Sequence, residues 1–168
     1  MPDVHPRVVI GVGNADRGDD AVGHRVARRI REHAPPGVAV MVHGGEATDL
    51  LERIADARMA IVIDAAAPLR GAGTIHRFDA VAGPLPASLF ACSTHGFGVA
   101  EAIELARVLG RLPAHCLVFA IEGRGYAPGA PLAPEVAAAA EAVAQRVLEE
   151  IERIGCGQDR EDESGSVA

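Results

Sequence analysis

Residues 59–65, MAIVIDA, carry no polar side chain before the aspartate at position 64. A strand turns successive residues to opposite faces, so a run that is apolar at every position needs cover on both. That requirement points to the centre of a largely parallel sheet with helices on each side. The rest of the chain supplies the parts. Residues 7–12, 38–43, 73–79 and 115–123 read as further strands, each short and rich in branched or apolar residues. Between them lie helical patterns over 20–33, 48–57, 97–110 and 133–154. In the first of these, Val22, Val26 and Ile30 sit four apart and share one face, while arginines take the other. Thr48 or Asp49 is expected to cap the second helix. Gly110 closes the third, and Pro134 stands in the first turn of the last.

The strand at 73–79 follows PLRGAG, a link too short for a helical crossover, so it is expected to run antiparallel. The resulting order, β-α-β-α-β-β-α-β-α, predicts a three-layer α/β/α sandwich whose sheet has about five strands, all parallel but one. One domain is expected over 1–154, followed by a polar, disordered tail over 155–168. Hydrophobic residues make up 49% of the chain but aromatics only 3%, so the core has to be built from Val, Ile, Leu and Ala.

The formal net charge is −7 and no basic patch stands out, which argues against nucleic acid or an anionic membrane as partner. The first apolar run is far too short for a signal or spanning segment, and a cytoplasmic location is expected. Cys92, Cys116 and Cys156 are odd in number and far apart, which excludes a disulfide framework or zinc ribbon. Cys116 reads as a small core residue.

In open α/β sheets, ligands gather at the carboxyl ends of the strands. There the sequence places Asn14, Asp16, Asp19 and Asp20 after the first strand, His43 and Glu46 at the second, Asp64 at the third and Glu122 at the fifth. The segment STHGFG, 93–98, adds His95. A carboxylate from 19–20, Asp64 and His95 form a donor set suited to Ni, Zn, Cd or Mn. Either of Asp19 and Asp20 also reads as a helix cap, and Asp64 as an Asx-turn residue. His43 is a reserve ligand. His24 reads as exposed, and His76 as structural. The glycine-rich stretch GVGNADRGDDAVG, 11–23, is not a nucleotide loop: Asp16 stands where a third glycine belongs, no lysine follows, and aspartates at the helix start repel phosphate.

Four segments, in order, resemble the hydrogenase maturation proteases, which trim the C-terminus of the [NiFe] hydrogenase large subunit. They are GVGNADRGDDAVG, HGGEATDLLERI, IVIDAA and STHGFGVAEAIELARVLGRLP, with GRGYAPGAPLAPEVAAA as a fifth. The resemblance implies the α/β/α sandwich and an endopeptidase that recognises nickel already bound in its substrate, the large subunit precursor. It places the metal-contacting and catalytic residues at Asp20, Asp64 and His95, with nickel not necessarily held by the protein alone. The protein is expected to act as a monomer. His43 departs from the aspartate common before the Gly-Gly, and Asp16 and Arg17 from apolar residues. The alternative is a non-enzymatic metal- or nucleotide-binding module on a flavodoxin-like scaffold. No serine or cysteine triad is evident; Cys92 adjoins His95 in sequence without an orienting acid.

Overall fold

A computed structural model describes residues 6–90 and 98–164, with side chains as far as Cys156. His95 and Cys92 lie outside the described residues. The chain forms five strands: β1 (Arg7–Val12), β2 (Val38–His43), β3 (Met59–Ala66), β4 (Ile75–Asp79) and β5 (His115–Glu122). Four α-helices accompany them: α1 (Val22–Arg31), α2 (Ala47–Ala55), α3 (Val99–Val108) and α4 (Pro134–Ser164). The sheet order is β2-β1-β3-β5-β4, with every pairing parallel except β4 to β5. The expected mixed five-strand α/β architecture is therefore present. β4 runs antiparallel as its short link requires, but it pairs with β5, not with the strand that precedes it.

β3 is central, and all eight of its residues are buried. Ala60 and Val62 face a layer containing Leu50, Ile54 and Ile103 of α2 and α3. Ile61 and Ile63 face one containing Val26, Ile30, Val143 and Ile151 of α1 and α4. Val22, Val26 and Ile30 are all fully buried, as their spacing predicts. Cys116 is likewise buried within the sheet, and burial pushes its thiol up to about 12, which leaves it an inert core residue.

Three helix boundaries differ from expectation. The segment Gly18–Ala21 forms a 3-10 turn before α1. Glu46, not Thr48 or Asp49, caps α2, with its carboxylate accepting from the Thr48 and Asp49 amides at 3.0 and 2.8 Å. The Thr48 hydroxyl, with these two amides, holds Glu46 down at about 2. At the other end of the chain, α4 continues past Ile154 to Ser164. The polar composition that reads as a tail includes Gln158, Arg160, Glu161 and Glu163, types that lose little freedom in a helix.

The glycines of 11–23 bring strand and helix together. A Cβ at Gly11 would overlap the Gly23 carbonyl oxygen, and one at Gly23 would overlap that of Val12 and meet that of Ile63 at 2.6 Å. α1 thus rests directly on the backbone of β1 and β3. Asp19 then fastens this corner to the loop between β5 and α4. Its carboxylate, 1% exposed, accepts from the amides of Arg124 at 2.7 Å, Gly125 at 3.1 Å and Ala133 at 2.7 Å. Ala133 is the residue before α4, so Asp19 caps α4 and not its own helix.

Two substitutions test these contacts. Gly23→Ala should destabilise the fold by about 3 kcal/mol, because rigid backbone must move. Asp19→Ala leaves three amides short of a partner and should cost about 3–5 kcal/mol, or roughly 6–15 °C in thermal midpoint. Thermal unfolding checks both; midpoints within about 2 °C of the parent would refute them.

Candidate active site

The chain leaves β1 toward β2 on one side and returns to β3 on the other. The adjacent carboxyl ends of β1 and β3 therefore form the switch point of the sheet, where a crevice opens between diverging connections. Asp20 belongs to the 3-10 turn that follows β1, and Asp64 lies near the end of β3. The structure brings these two sequence-predicted residues together. Burial pushes the Asp64 carboxyl up to about 8, against the lowering effect of the Ala65 amide bond, and the nearby Asp20 charge raises it further. The Ala65 amide donates to Asp64 Oδ1 at 2.8 Å. At neutral pH Asp64 thus largely keeps its proton beside a second carboxyl group. Among the described residues no three metal-ligating side chains cluster, and the third expected ligand, His95, lies outside them.

Asp20 is held by the turn that carries it. Its Oδ2 accepts the Asn14 amide at 3.1 Å. Gly13, at φ +142°, makes the sharp exit from β1 and sits against the Asp20 backbone, leaving no room for a side chain. The Gly13 amide donates to the His43 carbonyl at 3.0 Å, that of Asp16 to Asn14 Oδ1 at 2.9 Å and that of Asp19 to the Gly125 carbonyl at 2.9 Å. These backbone amides are spent within the protein and are not aimed at a phosphate. This is the structural counterpart of the loop's poor fit to a nucleotide motif.

His43 is not available as a reserve ligand. Its Nδ1 accepts the Gly45 amide at 2.9 Å, so in the neutral ring Nε2 carries the hydrogen and donates it to Asp49 Oδ2 at 2.7 Å. That hydrogen bond is the largest of the effects holding Asp49 below the usual aspartate range. His24, read from sequence as exposed, is partly buried with Nε2 3.1 Å from the His43 carbonyl. Both histidines brace the loops beside the crevice.

Sequence reasoning underrated Glu122. It is fully buried, its Oε2 accepts the amides of Arg70 and Gly71 at 2.7 and 2.8 Å, and its Oε1 lies 2.8 Å from His76 Nε2. Burial opposes its charge, but the Gly71 amide, His76 and the Arg70 amide outweigh it and hold the carboxyl below its ordinary range. The available signal was a lone charge ending the apolar run CLVFAIE.

Comparison with known proteins bears on the fold and the family. No curated protein matches the sequence. Among solved structures, the hydrogenase maturating endopeptidase HybD from E. coli is 23% identical, with a TM-score of 0.74 over 89% of this chain and 94% of its own. The [NiFe] hydrogenase maturation protease HycI from Thermococcus kodakarensis KOD1 is 22% identical, with a TM-score of 0.67 over 86% and 91%. An endopeptidase from Escherichia coli is 25% identical, with a TM-score of 0.69 over 86% and 89%. The sequence model of the hydrogenase maturation protease family matches residues 22–150, spanning the segment from α1 into α4. The chain belongs to the hydrogenase maturation protease family, the endopeptidases of hydrogenase maturation.

Proposed function

We propose that this endopeptidase removes a C-terminal peptide from a [NiFe] hydrogenase large subunit precursor and recognises its substrate through the nickel that the precursor already carries. Asp20 and Asp64 supply oxygen donors to that nickel, and His95 an imidazole. The observation that carries this reading is the pairing of Asp20 with a buried Asp64 at the switch point of the sheet. Asp64 is desolvated and Asp20 is near enough to raise its carboxyl further, so the two disfavour each other as anions. A divalent cation removes that repulsion and displaces the Asp64 proton. Carboxylate oxygens with an imidazole suit a borderline divalent ion in an open, transient site. Nickel is here part of the substrate. Among the described residues no helix is long and apolar enough to cross a membrane.

The reading is tested by incubating the protein with nickel-loaded and nickel-free precursor. Only the loaded form should be cut, and Asp20→Ala, Asp64→Ala or His95→Ala should each slow cutting by about 100-fold or more, as expected for loss of a direct metal contact. Equal processing of loaded and nickel-free precursor would refute nickel recognition. Normal rates in all three variants would refute the residue assignment.

The same corner governs stability. Asp64 binds its proton more tightly in the folded chain than in the unfolded one, where the usual value is 3.8. The folded state therefore holds more protons between about pH 4 and about pH 8, and stability is lost as pH rises through that window. Asp64→Asn keeps the shape without the titration. Its thermal midpoint relative to the parent should climb from pH 5 to pH 8. A difference that stays constant with pH would contradict the buried, proton-holding carboxyl.

A further inference from the structure

Nickel contacts at Asp20 and Asp64 leave the protons of peptide cleavage without a carrier. The reversed direction of β4 supplies one. Its first residues, not its last, lie at the edge where the parallel strands end. Asp64 on β3 is level with Ala120 on β5, and Ala120 with His76 on β4. Residues in one row of a sheet share a face, here the side of α2 and α3, which Val62, Val118 and Ala120 also face. Two strand spacings put the backbones of Asp64 and His76 roughly 10 Å apart.

His76 is held as a proton carrier would have to be. Ionised Glu122 can only accept hydrogen bonds, and His76 Nε2 lies 2.8 Å from its Oε1. Nε2 therefore carries a hydrogen, and in the neutral ring the lone pair falls on Nδ1, for which no partner is seen among the described residues. The ring stacks on Phe78 with 6.1 Å between centroids and planes 4° apart, and Phe78 packs in turn on Phe90. Glu122 is inaccessible, but the His76 side chain keeps 16% of its surface exposed. Read from sequence as structural, His76 is a fixed, solvent-touching imidazole of defined tautomer in the same row as Asp64.

We propose that His76, oriented by Glu122, carries the proton in the cleavage step. This rests on the reading of Asp20 and Asp64 as the nickel anchor. An extended substrate segment leaving that anchor toward β4 covers the distance in about three residues. At the scissile bond, the oxygen of a water molecule bonds to the carbonyl carbon while His76 Nδ1 takes one of its protons. The carbon–nitrogen bond then breaks and His76 passes the proton to the departing amine. The products are the shortened subunit with a new carboxyl group and a peptide with a free amine, the second proton of the water passing from that carboxyl to the amine to leave a carboxylate and an ammonium; water is the only co-reactant. Glu122 stays ionised and is a positioning residue, fixing which ring nitrogen is basic.

The test separates binding from cleavage. His76→Gln keeps a donor toward Glu122, so the pinned loop at Arg70 and Gly71 survives, but it removes the base. It should bind nickel-loaded precursor with unchanged Kd and unfold at the parent midpoint, while single-turnover cleavage falls by about 10²–10⁴-fold. Glu122→Gln, with its acceptor oxygen kept for the two amides, should also bind normally and cleave slowly. Cleavage by His76→Gln within about threefold of the parent would overturn the proposal. So would a parallel fall of binding, midpoint and cleavage, which marks a structural pair. Asp64→Asn, run alongside, reports on the anchor: normal precursor binding there would sink the nickel reading, while His76→Gln still decides the proton role.

Discussion

Asp19 is the contact on which the corner of this molecule depends. One buried carboxylate takes three backbone amides from a loop more than a hundred positions away in sequence, and its own amide donates to the same loop. The turn after β1 and the loop after β5 are thereby tied together, and α4 receives its cap. With α1 set on the strand backbones through Gly11 and Gly23, the turn has little freedom left. Its next residue, Asp20, is then delivered to Asp64.

Adjacent aspartates thus do different work. Asp19 has its charge spread over backbone donors and serves the fold. Asp20 accepts the Asn14 amide and lies near enough to Asp64, at the sheet switch point, for its charge to be felt there. Burial makes ionisation of Asp64 costly, and Asp20 makes it costlier. His43 shows the converse: both ring nitrogens are engaged by the protein, so it buttresses the site and offers it no lone pair.

The sheet also explains why functional groups come from strands of both directions. Parallel strands present their carboxyl ends to the crevice. β4, running the other way, presents its start, and so brings His76 to the level of Asp64. Glu122, at the end of β5, reaches across to hold His76 and the loop before it. One edge of the sheet therefore carries a pair of carboxyl groups and, farther along, a carboxylate–imidazole pair.

The sequence alone determined the layers. A doubly apolar β3, the four-residue spacing on α1 and the short link before β4 are local signals, because periodicity and loop length act within a few residues. The same signals put Asp20 in the turn after β1 and Asp64 near the end of β3, since the ends of apolar runs are visible in the chain. What tertiary structure decided was partnership. Asp19 looked like a cap for its own helix because the amides that donate to it lie far away in the chain. His43 looked like a ligand because the Gly45 and Asp49 contacts depend on how the turn closes. His76 looked merely structural because its row is set by β4 pairing with β5 instead of with β3. Hydrogen bonds between distant segments leave no periodic trace in sequence, and they are what sort a residue that supports the site from one that belongs to it.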